Sequence, residues 1–400
     1  MASGEALGIG ILGLGTAGRM LIPAIDAHPD CALRAIADPA EEVRAEVAAG
    51  RDIALCEDIE SLVQAEGVDA VYVATPTPLH AAHTQAAAAA GKHVVVEKPM
   101  AVDLAEAEAM IAAADKAGVT LMVGHSRSFD PAFRRMREII DTGRLGHVRM
   151  IHQVSYTDWI YRPRRPEELD SALGGGITFR QGAHQFDVIR LLAGGLVESL
   201  RAHSGDWDPI RPAVGAHTVF LTFAEGAVAT AVYSGYGGFS SAALSSGIDE
   251  RGFPEAEDAI GAARRAFAAR APGSDEFAAK RKRAAGSVKP APPHHPMFGL
   301  TLVSCDGGDL RQSPQGIYLY NAQGRSEIEV EIDRTGRDCV VAELADAVLG
   351  RRAALHDGRW GLANLEICLA ATESAESGRD VRLAHQVAVP RGEAPSRKNT

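Results

Sequence analysis

Glu97, Lys98 and Pro99 follow directly on the apolar run His93–Val96, where a buried strand should give way to a turn. An amine placed there is partly desolvated, and a nearby positive charge lowers its pKa further. Such a lysine can carry a proton near neutral pH. Pro99 biases the residue before it towards extended backbone, which stiffens the aim of Lys98. The competing reading is a solvated lysine at a strand edge, which holds for most lysines. Nearer the N-terminus, Gly13-Leu14-Gly15-Thr16-Ala17-Gly18 is a G-x-G-x-x-G run after an apolar stretch and before a helix-compatible one. The first glycine permits a tight turn, and the second lets backbone approach a pyrophosphate. The third allows close helix–strand packing, with the phosphates at the helix N-terminus. Asp38 ends the next apolar run, 20 residues after Gly18. A carboxylate there bonds the adenosine ribose hydroxyls and repels a 2′-phosphate. Pro39 and Ala40 follow it, so NAD is expected over NADP, with Arg19 and Arg44 as the cations that could reverse the preference.

Metal chemistry finds little support. His80 and His83 share one predicted helix face but lack a third ligand, and His294-His295 lie in a proline-rich loop where solvation is expected. The five cysteines are scattered, with no Cys-x-x-Cys, and read as free thiols in a reducing cytoplasm.

The elements that must position these residues come in two styles. Up to residue 126, short apolar runs ("LGIGIL", "ALRAIAD", "AVYVAT", "HVVVEK", "TLMVGH") alternate with Ala- and Glu-rich helical segments. That pattern predicts a doubly wound parallel sheet of the Rossmann type, with ligands at the carboxyl ends of its strands. Gly13–Gly18, Asp38, Thr75-Pro76 and Glu97-Lys98 all fall at that edge. Residues 127–390 read as a second, α+β domain. "VRMIHQVSYT", "VESLRAHSG", "AHTVFLTF" and "AVATAVYSGY" suggest a mostly antiparallel sheet, and one helix near "GITFRQGAHQFDVIRLLAGG" interrupts it. Residues 248–297 look like an insertion, two helices are expected near 338–349 and 358–377, and 391–400 form a polar tail. The chain carries 52 Asp and Glu against 41 Lys and Arg, a net charge of −11, which argues against nucleic acid as a partner. No run approaches the roughly 20 apolar residues of a membrane span, and no basic leader marks a signal peptide.

The glycine run, "ATPTPLHAAH" and "VEKP" together resemble the Gfo/Idh/MocA oxidoreductases over nearly the whole chain. The resemblance implies a Rossmann domain followed by an open α/β sheet. It implies that Lys98 assists proton transfer beside the nicotinamide and that Glu97 helps hold the cofactor. Thr75, Pro76 and His80 fall in the same cofactor-binding stretch. "GGGITFRQGAHQFD" is similar to the family's second motif, Gly-Gly-Gly-x-x-x-Asp-x-Gly-x-His-x-x-Asp. His184 falls on the motif histidine, which relatives place near the reacting hydroxyl, and Asp187 on a structural aspartate. Arg180 stands where the motif has its first aspartate. A cation there suits an anionic substrate better than a neutral polyol, and Arg180 and His184, four residues apart, share a helix face. The alternative is an ion pair between Arg180 and a neighbouring acid.

Further segments, among them "YTDWIYRPRRPEEL" and "LVSCDGGDLRQSPQGIYLY", resemble the family's branch of phthalate-type cis-dihydrodiol dehydrogenases. That implies oxidation of a carboxylated cis-diol to a catechol. Arg162, Arg164 and Arg165 could then bind the carboxylate, although ion pairing in a solvated loop with Glu167 and Glu168 suits any single one of them better. A sugar or polyol dehydrogenase is the second expectation. A non-catalytic dinucleotide sensor is the third, and it would need neither Lys98 nor His184. Relatives of this kind are commonly homodimers or homotetramers built through the open sheet face.

Overall fold

The computed structural model describes residues 6–270, 275–286 and 291–390. Within them, the first sheet holds strands β1 (Leu7–Leu12), β2 (Cys31–Ala37), β3 (Ala54–Cys56), β4 (Ala70–Val73), β5 (His93–Val96) and β6 (Leu121–Val123). The order is β3-β2-β1-β4-β5-β6, and every pair is parallel. β1, β4 and β6 are buried along their whole length, as strands covered by helices on both faces must be. β1 sits centrally, so the helix after it, α1 (Thr16–Ala27), starts at the point where strand order reverses. Crevices form at such switch points.

The second sheet contains β7 (Val148–Tyr156), β8 (Val197–Gly205), β9 (Ala216–Phe223), β10 (Val228–Ser234), β11 (Leu300–Cys305), β12 (Gly308–Ser313), β13 (Gly316–Asn321), β14 (Gly324–Glu329) and β15 (Val381–Arg382). Its order is β14-β13-β12-β11-β7-β10-β9-β8-β15. Only β7 and β10 pair in parallel; the other neighbours are antiparallel. Burial alternates along β10, so one face of the sheet is covered and the other open. Helices Ala183–Ala193 and Gly358–Ser377 supply much of the cover.

Several expectations change in detail. β12 and β14 are hairpin partners of β11 and β13 that lack an apolar alternation, and β14 is almost wholly exposed, so no burial pattern marked it. The helix expected around residues 177–193 begins as a π-helical turn, Thr178–Gly182, before the α-helix Ala183–Ala193. His295 is 1% exposed, with Nε2 2.7 Å from the Val330 carbonyl oxygen, and is not the solvated loop residue expected. The tail 391–400 lies outside the described residues.

Helix Gly336–Val348 crosses back to the first sheet. Val340, Val341, Leu344 and Ala345 join Leu21 and Ile25 of α1 and Tyr72 of β4 in one apolar cluster. Its N-terminus is held by Thr335, whose hydroxyl accepts from Asp338 N at 3.3 Å while Thr335 N donates to the Asp338 carboxylate at 2.7 Å. A distant part of the chain thus returns to the carboxyl edge of the parallel sheet.

Candidate active site

After β1 the chain turns through Gly13 at φ +93°, where a Cβ would sit 2.8 Å from the Ala74 carbonyl oxygen. At Gly18 a Cβ would lie 2.1 Å from the Gly13 carbonyl oxygen, so α1 packs on the turn only without a side chain. Gly15 differs: a Cβ there meets nothing within 4 Å, and the residue lines an open cavity with Thr16 and Ala17. No side chain caps the start of α1 and no acid lies in its first turn. The first amides and the positive helix end are left for an anion in that cavity.

Asp38 stands just past β2. Its Oδ2 accepts from Leu14 N at 2.9 Å and its Oδ1 from Ala40 N at 3.1 Å, which pins the carboxylate beside the glycine turn. The two nearby arginines are both engaged. Arg19 forks onto Glu46 at 2.8 and 2.9 Å. Arg44 donates to the Asp38 carbonyl at 2.6 Å and lies 3.5 Å from Glu57. Thr75 and Pro76 line the same cavity past the end of β4. His80 is 1% exposed, with its ring nitrogens 2.9 Å and 3.0 Å from the carbonyl oxygens of Thr75 and Pro99. It braces two strand ends against each other, and burial lowers its pKa to about 4.

At the end of β5, Tyr72 donates its hydroxyl to Glu97, and Lys98 N donates to the other Glu97 carboxylate oxygen at 3.2 Å. The Lys98–Pro99 peptide is cis. Lys98 Nζ donates to the main-chain carbonyl of Arg180 at 2.7 Å, across 82 residues of sequence. Burial and the Arg180 guanidinium bring the Lys98 ammonium from 10.5 to about 7, against the pull of Glu97. Half-buried Lys98 and buried His184 line the same cavity. Burial, Lys98 and Arg127 hold the His184 imidazole well below its ordinary pKa, so it is neutral at pH 7. Its Nδ1 is buried without a partner, and its ring meets Phe298 edge-on at 5.6 Å. π-helical turns occur disproportionately at functional sites. This one turns the Arg180 carbonyl to Lys98 directly before the helix that carries His184. Asp187 is fully buried and accepts from Trp360 Nε1 at 2.8 Å.

The arginines form the opposite wall, and acids hold each of them. Arg180 donates to Thr77 Oγ1 at 3.0 Å and lies 3.5 Å from Glu168. Arg162 bonds Asp158 at 2.6 Å and Glu250 at 3.1 Å. Arg164 stacks on Trp159, 3.9 Å from the ring centroid, and lies 3.7 Å from Glu168. Arg165 lies 3.8 Å from Glu167 and 5.0 Å from the Phe277 ring centroid. Glu168, 5% exposed, also pairs with Lys280 from the inserted helix Glu276–Ala285. Burial would raise its carboxyl, but Arg180, Lys280 and Arg164 outweigh that and hold it at about 2.

Among the residues of this cavity that were not foreseen are Arg127, Asp130 and Arg337. The first two follow β6 in "GHSRSFD", a strand-end position that could have flagged them. Arg337 had no local signal. The cavity they share with Lys98 measures about 1190 Å³.

Residues 7–125 match the GFO/IDH/MocA oxidoreductase family with its NAD-binding Rossmann fold, and residues 133–240 match the GFO/IDH/MocA C-terminal domain. The 1-carboxy-3-chloro-3,4-dihydroxycyclohexa-1,5-diene dehydrogenase of Comamonas testosteroni is 37% identical over 385 residues, covering 92% of this chain and 94% of that protein. The inositol 2-dehydrogenase of Rhizobium meliloti (strain 1021) is 32% identical over 212 residues, covering 50% of this chain and 62% of that one. A solved structure from Bordetella bronchiseptica RB50, assigned as a dehydrogenase, is similar with a TM-score of 0.90 at 38% identity, covering 95% of this chain and all of that one. The chain belongs to the Gfo/Idh/MocA oxidoreductase family. It is an NAD(P)-dependent oxidoreductase acting on a CH–OH group, with an NAD-binding Rossmann domain whose open glycine turn and uncapped helix fit a dinucleotide.

Proposed function

We propose that this enzyme oxidises a cis-dihydrodiol of a phthalate-type aromatic carboxylate to the corresponding catechol. The charge of the cavity wall carries the reading. Among the described lining residues, thirteen Lys and Arg stand against eight Asp and Glu, in a chain of net charge −11. An excess of local cations concentrates an anionic ligand, and a neutral polyol gains nothing from it. The Comamonas relative supports the same class, since its name specifies a carboxylated dihydroxycyclohexadiene.

Gly13, Gly15, Thr16, Ala17, Gly18, Asp38, Thr75, Pro76 and Glu97 would hold NAD, with His80 bracing the strand ends behind them. When bound, NAD accepts the hydride of one carbinol carbon. Lys98, neutral above about pH 7, takes the hydroxyl proton at Nζ. His184 is a weaker base, because its conjugate acid is far stronger, and it orients the hydroxyl as a neutral hydrogen-bonding group. Phe298 gives the substrate ring an apolar neighbour. The hydroxy-ketone left behind tautomerises to a catechol, and aromatisation favours oxidation.

The inositol 2-dehydrogenase relative makes a polyol the second reading. Absorbance at 340 nm separates the two when purified protein and NAD meet a panel of carboxylated cis-diols, uncharged cis-diols, inositols and sugars. Carboxylated diols should turn over fastest. Faster oxidation of any inositol or sugar would overturn the assignment. The same reading has the enzyme as a homodimer or homotetramer paired through the open sheet face, in a reducing cytoplasm that suits its five free thiols. Light scattering of the purified chain tests the assembly.

A further inference from the structure

Three cations act on His184 from within the cavity: Lys98, Arg127 and Arg337. Lys98 is already bound to the Arg180 carbonyl. Arg127 donates to the Glu250 carbonyl at 2.7 Å, lies 3.5 Å from Asp130 and stands 5.1 Å from the Phe298 ring centroid. Arg337 differs from both. Its guanidinium makes no hydrogen bond and no ion pair with any described residue, and its Nε is sealed from solvent without a partner. Asp130 feels the Arg337 charge but lies within ion-pair distance of Arg127 alone, at 3.5 Å, and Glu97 accepts from Tyr72.

The fold holds Arg337 there. Val340 and Val341, three and four residues on and 3% and 1% exposed, lie on the same helix face and anchor in the first core. Gly336 packs so tightly on the turn after β6 that a Cβ would sit 2.2 Å from the Ser126 carbonyl oxygen. Arg337 is half-buried, and its one sealed, unpartnered donor, Nε, carries a desolvation cost that an arriving anion removes. A carboxylate matches its fork in bidentate geometry. Lys282 and Arg283 also line the cavity without ion pairs, but both are exposed residues, and neither has a side-chain donor sealed without a partner.

We infer that Arg337 is the specificity-determining residue that seats the substrate carboxylate, beside Lys98 and His184. This rests on the carboxylated-substrate reading above. The other anion that could reach a guanidinium here is a phosphate of the cofactor, and the test separates the two. Calorimetric titration of 3,4-dihydroxybenzoate and of catechol into the protein–NAD complex reads carboxylate recognition without turnover. The unmodified protein should bind the carboxylated catechol at least tenfold tighter. Arg337→Gln should lose about ten- to a hundredfold on that ligand and less than twofold on catechol. Its affinity for NADH, read by fluorescence, should stay within about twofold. Arg337→Lys keeps the charge but not the fork, and should recover part of the loss. Equal losses on both ligands, or a tenfold loss of NADH affinity, would overturn the inference. If Arg337→Gln fails to fold, full retention of the preference by Arg337→Lys counts against the fork, and its partial loss supports it. An unmodified protein with no preference for the carboxylated ligand would sink the substrate reading instead, whereas a preference that survives in Arg337→Gln sinks only Arg337.

Discussion

The carboxyl edge of the parallel sheet and the arginine wall facing it solve opposite problems. At the sheet edge, backbone places the groups: a glycine turn and an uncapped helix open onto the cavity, two amides pin Asp38 beside the turn, and a strand end brings Lys98 to the cavity wall. At the wall, side chains neutralise one another, and their partners come from far along the chain. Lys280 reaches Glu168 across 112 residues, and Arg162 reaches Glu250 across 88. One surface therefore offers unspent chemistry, and the other offers charges mostly used to hold an inserted segment in place. The availability of a cation, more than its presence, separates a binding group from a structural one.

The largest effect should come from the edge. Lys98→Ala is expected to lower turnover by about 10²–10⁴-fold while NADH still binds, as read by stopped-flow absorbance and fluorescence. A base must be unprotonated to act, and the Lys98 ammonium titrates at about 7. The kcat/KM of the unmodified enzyme should therefore fall about tenfold per pH unit below 7 and level off above it. His184 stays neutral through that range and adds no limb. Lys98→Ala should abolish the limb. If the limb survives unchanged, the proton goes elsewhere.

The wall should respond in stability before activity. Glu168→Gln leaves Arg164, Arg180 and Lys280 facing one another without their shared anion. Losing one partner of a buried pair typically costs about 3–5 kcal/mol, which denaturant unfolding would read. The same carboxyl links stability to pH. Its folded pKa of about 2 lies below the ordinary 4.5, so its contribution is complete above 4.5 and fades as pH falls towards 2. A Glu168→Gln protein as stable as the parent would mean that the wall is not held by this carboxylate.

A smaller change should follow at the cofactor edge. Asp38→Gly removes a carboxylate that suits ribose hydroxyls and repels a 2′-phosphate. Specificity for NAD is expected to fall about ten- to a hundredfold relative to NADP. Equal changes for both cofactors would leave Asp38 with no part in the choice.

Sequence reading reached these regions unequally, for the same physical reason. Parallel strands with a two-faced burial need only local apolar runs and glycine punctuation, so β1, β2, β4, β5 and β6 were legible, while Arg127 and Asp130 past the end of β6 were not. Polar edge strands such as β14 bury almost nothing and left no pattern. The arginines of residues 162–165 were visible as charges, but Glu250, which pairs with Arg162, and Glu276, which accepts from the main-chain N of Arg164, lie in the insertion and depend on tertiary packing. The π-helical turn has no local signature either, since Thr178–Gly182 reads as ordinary helix. Arg337 is the extreme case. Only the return of its helix to the first core brings it to the cavity of Lys98, from which it is 239 residues distant in the chain.

Arg180 sits on the boundary between the two regions and should show the smallest effect. Its carbonyl holds Lys98, a contact that side-chain substitution leaves in place, while its guanidinium is committed to Thr77 and Glu168. To bind a substrate carboxylate it must exchange one anion for another. The net gain then resembles that of a solvent-exposed ion pair, about 0.2–1 kcal/mol. Arg180→Gln should therefore lower kcat/KM for a carboxylated diol only about two- to fivefold. The guanidinium also helps depress the Lys98 ammonium, so removing it should shift the acidic limb of the rate profile to higher pH. A purely structural role would not move that limb. A loss of ten- to a hundredfold confined to carboxylated diols, beside an Arg337→Gln enzyme that loses nothing, would reverse the parts assigned to the two arginines.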